Sequence, residues 1–284
     1  MDLLFFFIIG AIISVLSGFF GVGGGFILTP LLMLLGFSPL VAITTSLLYT
    51  IGTSLSGIRS HIKYKNIEFK TGLIMGLCGI VATQIAKPFV VFLESRNLDE
   101  TVIPIFYIIL LSYFAITMFK QGKNKKESTG SPVNNAVLKM IFIGFFAGFV
   151  STTLGVGGGF LIVPLSVLYL GLPTKKAVGT SLFTIFLIVP TAFLSYIFIV
   201  DLNISISVVL LLGSFVGATF GAKLTAYFQN KEISLLLSGL YIFTLLSVAF
   251  KLFKLANFGL VILSGYVVFF FIYVLLRRSK GVKV

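Results

Sequence analysis

The sequence predicts an all-α, polytopic membrane protein. It has two helical repeats of inverted topology, each opening on a glycine-broken helical hairpin, and one extra C-terminal span. Three observations carry that prediction. First, 58% of the 284 residues are apolar and 10% are charged, where a soluble domain carries about 25% charged residues. So few charges cannot coat a globule in water, and the mean hydropathy is +1.14. A soluble enzyme, a disordered tail and a collagen-like fibre are excluded. Second, the apolar residues gather in runs long enough to cross a bilayer. Third, one glycine cluster and its surroundings occur twice in register.

Runs near span length cover residues 3–20, 40–60, 71–93, 101–119, 137–154, 177–200, 204–228, 233–253 and 256–276. A helix needs about 20 residues to cross roughly 30 Å of hydrocarbon. The opening run does not read as a cleavable signal peptide, because Asp2 stands where a basic segment belongs and no small-residue cleavage site follows. Two further runs, 26–35 and 160–170, are too short to span. Each follows a glycine cluster and contains a proline, Pro30 or Pro164, so both read as half-helices. Cys78 is the single cysteine, which excludes an intrachain disulfide.

The repeat is explicit. Gly21-Val22-Gly23-Gly24-Gly25-Phe26 recurs as Gly155-Val156-Gly157-Gly158-Gly159-Phe160, Pro30 matches Pro164, and Thr45-Ser46-Leu47 matches Thr180-Ser181-Leu182. Residues 1–120 form the first repeat, 121–136 a basic cytoplasmic linker, 137–254 the second repeat, and 255–284 an additional span with a basic tail. The net charge of +13 sits mostly in the links between spans, which points to a lipid bilayer and not to nucleic acid.

Charge also orients the copies. The link at 59–70 carries Arg59, Lys63, Lys65 and Lys70 against Glu68, so it is expected in the cytoplasm. Its counterpart, 200–205, holds only Asp201, while Lys175 and Lys176 follow Gly171. Opposite signs on matching loops are expected of inverted repeats. The arithmetic closes if each glycine-centred pair returns to the side it entered from; a single broken span is the alternative. The N-terminus then lies outside and Arg277, Arg278, Lys280 and Lys283 inside. Lys251 and Lys254 fit poorly, since they fall outside.

A broken helix in hydrocarbon survives only inside protein or beside water, because its unpaired amides are costly. Where the break adjoins a helix start, free N–H groups at the positive end of a dipole make an anion site without formal charge. Small-residue packing explains many membrane glycines, but two clusters in register, each before a proline-bearing half-helix, favour binding. The candidate substrate ligands are Gly21, Gly23, Gly24, Gly25, Gly155, Gly157, Gly158 and Gly159, completed by Thr45, Ser46, Thr180 and Ser181. A hydroxyl stripe continues along Tyr49, Thr53 and Ser56, and along Thr184, Thr191 and Ser195; there, hydrogen bonds within the helix bundle are the simpler reading. Gly213, Gly217 and Gly221 form a ladder expected to serve packing. Lys87 and Lys223 are candidate charges along an anion path, with snorkelling to the interface as their bland explanation. His61 reads as solvated or lipid-facing. All eight acids lie in links or at ends, against the intramembrane carboxylates that proton and cation paths use. No metal, cofactor or catalytic set is visible.

At these residues the chain resembles the TauE/SafE family of sulfite and organosulfur-anion exporters. The matching stretches are 18–47, GFFGVGGGFILTPLLMLLGFSPLVAITTSL, and 153–182, TLGVGGGFLIVPLSVLYLGLPTKKAVGTSL. The second ends in the family's Ala-Val-Gly-Thr-Ser pattern, where the first has Ile43-Thr44 in place of Val-Gly. The resemblance implies a multi-pass plasma-membrane transporter of small sulfur-containing anions such as sulfite or a sulfonate, working by alternating access. An anion channel and a non-transporting scaffold subunit are the alternatives, and a homo-oligomer is left open.

Overall fold

The computed structural model describes residues 3–123 and 135–279. Asp2, most of the linker with Lys125, Lys126 and Glu127, the Arg278 side chain, Lys280 and Lys283 lie outside the described residues. The chain forms α1 Leu3–Phe20, α2 Gly25–Leu34, α3 Pro39–Lys63, α4 Phe69–Ser95, α5 Asp99–Lys123, α6 Ala136–Leu154, α7 Gly159–Tyr169, α8 Thr174–Tyr196, α9 Ile204–Leu224, α10 Asn230–Leu252 and α11 Ala256–Ser279. Among the described residues, nine helices are long and apolar enough to cross a membrane, and α2 and α7 are the two short ones. The fold is that of an all-helical polytopic membrane protein. Helix α5 runs on to Lys123, into the first residues of the expected linker.

Local chemistry sets the helix ends. Pro39 opens α3 after an extended Ser38, where a missing N–H costs nothing. Asn203 caps α9 by accepting from the Ile206 N–H, and Gln229 with Glu232 forms a capping box on α10. Asp99 and Glu100 open α5 and Lys120 and Lys123 close it, each complementing the helix dipole. Pro164 strips the Phe160 carbonyl of its helical donor; the Tyr241 hydroxyl donates to it instead, at 2.8 Å.

Close contacts give the helix directions. Along α1 and α9, Gly10 abuts Leu210, Gly217 abuts Ala11 and Gly221 abuts Val15, so the two run parallel. Gly144 on Met75 and Gly148 on Gly79 make α6 parallel to α4, and Gly72 on Phe183 with Gly76 on Leu187 make α4 parallel to α8. Ser56 donates to the Phe215 carbonyl and Ser60 to that of Thr219, so α3 runs with α9. Against α8, α3 is antiparallel: Gly57 meets Leu182, while Leu48 lines a crevice with Phe193 and Ile197. The half-helices double back. Phe37, beyond α2, packs on the Phe6 ring near the start of α1, and Tyr169, ending α7, lines a cavity with Leu138 and Phe142 near the start of α6.

Two faces result, and they differ in charge. The ends of α3, α5, α9 and α11 share one face with the starts of α4, α6, α8 and α10. Lys176 pairs there with Glu68, and Arg277 with Glu232. This basic face also holds Lys63, Lys65, Lys70, Lys120, Lys123, Lys175 and Lys231. The opposite, acidic face holds Glu94, Asp99, Glu100 and Asp201. Lys251, awkward in the sequence, faces the Glu100 and Asp99 charges there.

Candidate functional site

Each half-repeat begins with a helix that stops at a left-handed glycine. Gly21 and Gly23 have φ of +67° and +76°, and Gly155, Gly157 and Gly158 have +69°, +77° and +77°, a region that only glycine enters without penalty. The breaks lie beside Thr50 of α3 and Ile185 of α8, close to the middle of both helices. They also meet each other. A Cβ on Gly25 would lie 2.2 Å from the Gly155 carbonyl oxygen, and one on Gly159 2.4 Å from that of Gly21. The rings of Phe26 and Phe160 stack across the junction with centroids 5.3 Å apart. The two breaks meet in a packed form, and three cavities described between helices are lined by other residues.

Four orphan carbonyls end a helix, and here side chains take them up. After α1, the Gly18 carbonyl lies 3.1 Å from Nε2 of His61, and the Gly21 carbonyl accepts from Ser181 Oγ at 2.5 Å. After α6, the carbonyls of Thr152, Leu154 and Gly155 accept from the hydroxyls of Tyr196, Tyr107 and Thr29. His61 is therefore buried inside the bundle, not solvated or lipid-facing, because it caps a carbonyl beside the first break.

The amide sides of the two breaks differ. In the first, the Gly24 N–H donates to Thr53 Oγ1 at 3.2 Å and the Gly25 N–H to Thr50 Oγ1 at 2.8 Å, while the Phe26 N–H bonds the Gly23 carbonyl. The equivalents of Thr50 and Thr53, 135 residues on, are Ile185 and Ile188, which accept nothing. In the second break the N–H groups of Gly158, Gly159 and Phe160 have no acceptor among the described residues. Each buried unpaired donor costs about 1–3 kcal/mol.

Seven buried hydroxyls have no hydrogen-bond partner among the described residues, and Ser17, Ser46 and Ser151 are among them. Ser46 sits on α3 one turn from Ile43, which touches Gly155, and one turn from Thr50, which touches Gly25 and Gly157; it therefore lies on the side of α3 that meets the breaks. Ser17 and Ser151 each stand four residues before the glycine whose N–H their carbonyl accepts.

The other sequence candidates are placed differently. Ser181 is at the first break. Thr180 is not: its Oγ1 accepts from the Glu68 N–H at 2.9 Å, tying down the α3–α4 link. Thr45 is buried on the same helix as Ser46. Lys223 is exposed in the last turn of α9 and Lys87 is half-buried on α4; neither is among the groups that meet the glycine breaks. Sequence reasoning missed Thr50, Ser17 and Ser151. Thr50 lies on the hydroxyl stripe, four residues past Ser46, and Ser17 recurs in register as Ser151, so the signal was present in both cases.

A family model described as sulfite exporter TauE/SafE matches residues 6–248. The chain belongs to the TauE/SafE family. It is 30% identical over 260 residues to the probable membrane transporter protein YunE of Bacillus subtilis, covering 84% of this chain and 93% of that one. The probable membrane transporter protein YjnA of the same organism is 27% identical over 239 residues, with 82% and 94% covered. A probable membrane transporter protein of Methanocaldococcus jannaschii is 27% identical over 248 residues, with 82% and 90% covered. No solved structure matches. The family and these relatives make the TauE/SafE chain a membrane transporter.

Proposed function

We propose that this TauE/SafE protein carries a small sulfur-containing anion, sulfite or a sulfonate, across the plasma membrane by alternating access between two inverted repeats. The family description supplies the substrate class. The observation that carries the anion reading is the second glycine break, where the N–H groups of Gly158, Gly159 and Phe160 have no acceptor among the described residues while the carbonyls of Thr152, Leu154 and Gly155 accept from hydroxyls. Such a site attracts negative oxygens and repels cations. The donors to the anion are the N–H groups of Gly158, Gly159 and Phe160, with Ser46 as hydroxyl ligand. The first break, whose Gly24 and Gly25 N–H groups are held by Thr53 and Thr50, is the scaffold against which the second works. Gly21, Gly23, Gly24 and Gly25 then serve close packing, and Ser181 and Thr180 hold the copies together.

The inverted arrangement is supported by the helix directions, since α1, α3 and α9 run one way and their counterparts α6, α8 and α4 the other. Placing the basic face in the cytoplasm satisfies the positive-inside tendency, and puts the C-terminus there. A potential of about −100 mV favours outward anion movement by about 2.3 kcal/mol per charge, so export needs no coupling ion. The packed junction disfavours a standing pore. The test is efflux of labelled sulfite from proteoliposomes holding the purified protein. Saturable efflux, competed by sulfonates and not by Na⁺ or K⁺ salts of inert anions, supports a carrier. Unsaturable ohmic current indicates a channel, and no flux overturns the transport reading.

A further inference from the structure

The links that follow α3 and α8 occupy matching positions and make different contacts. The link between α3 and α4 ends at Glu68, the N-cap position of α4, and the link between α8 and α9 ends at Asn203, the N-cap position of α9. These are equivalent residues, 135 apart, as are Thr45 and Thr180, Val41 and Lys176, Thr44 and Gly179, and Asn66 and Asp201. The contact registers keep that offset: Met75 against Gly144 in one pair of helices answers Leu210 against Gly10 in the other.

On the basic face the first repeat's link is shut down on α8 of the second repeat. The Glu68 N–H donates to Thr180, its carboxylate pairs with Lys176, and the Asn66 backbone lies where a Cβ on Gly179 would meet its oxygen at 2.4 Å. On the acidic face the matching contact is unmade. No hydrogen bond joins Asn203 to Thr45, and the Asn203 side chain turns instead to its own helix, accepting from Ile206. A cavity of about 400 Å³ separates this link from α3, lined by Leu48, Phe193, Asp201, Leu202 and Ser207 among others. Asp201 and Asn203 are exposed where Asn66 and Glu68 are half-buried.

We infer that the Glu68–Thr180–Lys176 contact is a closed gate on the basic face and that Asn203 and Thr45 form its open counterpart on the acidic face, transport exchanging the two. Inverted repeats permit that exchange because each copy can take the conformation of the other. This rests on the alternating-access reading above. The gates are matched but unequal. Gly179 lets the Asn66 backbone come into contact, whereas Thr44 carries a side chain, bonded to the Leu40 carbonyl, and Val41 cannot pair with Asn203. The acidic-face gate is therefore the weaker one when closed, and the resting protein is held shut on the basic face.

The test uses paired cysteines in the full chain with Cys78→Ser, joined by a short bifunctional maleimide. Phe69→Cys with Phe183→Cys, whose rings touch beside the closed contact, reports the basic-face gate, and the equivalent pair Leu48→Cys with Ile204→Cys, both lining the open cavity, reports the acidic-face gate. At rest the first pair should cross-link about tenfold faster or more, as expected of a strongly biased two-state equilibrium. In the acidic-face pair, adding Lys176→Gln should raise the rate two- to fivefold, the range open to so exposed an ion pair. Cross-linking the basic-face pair should abolish sulfite efflux, while the uncross-linked variant still transports. Equal resting rates for the two pairs, no response to Lys176→Gln, or normal efflux after basic-face cross-linking would each overturn the gate. The rates need no substrate, so an absence of sulfite efflux with the rates as expected would fall on the anion reading and leave the gate standing.

Discussion

Thr50 and Ser46 lie one turn apart on α3, yet they face opposite tests. Thr50 Oγ1 holds the Gly25 N–H at 2.8 Å in a buried setting. Thr50→Val keeps the shape and removes the acceptor, so it should cost about 1–3 kcal/mol, read as a lower unfolding midpoint in detergent. Ser46 has no partner and is fully buried. Ser46→Ala should leave the midpoint unchanged or slightly raised, because an unpaired buried hydroxyl contributes nothing. The same variant should weaken sulfite binding about tenfold or more, as the loss of one hydrogen bond to a charged ligand does, read as a raised KM for efflux. A large loss of stability in Ser46→Ala would show a structural hydroxyl and remove it from the site.

Among the helices, the α1–α9 pair shows how glycine is used for packing alone. Cβ atoms on Gly213, Gly217 and Gly221 would lie 2.6, 2.1 and 1.9 Å from the carbonyl oxygens of Phe7, Ala11 and Val15. The backbones are in contact, the arrangement that small residues permit in membranes where no hydrophobic force drives helices together. Gly217→Val should force the helices apart and cost about 1–3 kcal/mol or more as overpacking, measured by detergent unfolding. The α6–α4 contact through Gly144 and Gly148 is built the same way, and periodicity in the sequence exposed only the first ladder. Small-residue spacing was thus legible; the partner helix was not, because the partner is chosen by the three-dimensional path of intervening loops.

For the whole molecule, charge separates the faces. Lys65 lies in the link on the basic face and Asn97 in the link on the acidic face. In intact cells of a Cys78→Ser background, an impermeant maleimide should label Asn97→Cys and spare Lys65→Cys, since cytoplasmic loops carry the Lys and Arg excess. The reverse labelling would invert the proposed orientation. Of the two lysines that opposed it, Lys251 lies near the Glu100 and Asp99 charges. That proximity joins residues about 150 positions apart, so no loop-by-loop count of charges could register it.

By itself the sequence determined that the chain lives in lipid, which runs are long and apolar enough to cross it, where two of its helices break, and that one glycine-centred motif occurs twice. Those properties follow from local composition and from self-similarity, which a one-dimensional pattern records fully. Only the tertiary structure decided which break is satisfied and which is open. The two glycine clusters are nearly identical, and the difference lies in Thr50 and Thr53 against Ile185 and Ile188, brought to the breaks from other helices. It also turned His61 inward and assigned Tyr107 and Tyr196 to the carbonyls of α6. Hydrogen-bond satisfaction depends on neighbours in space, and in a membrane, where water cannot serve as the missing partner, those neighbours settle what a broken helix can bind.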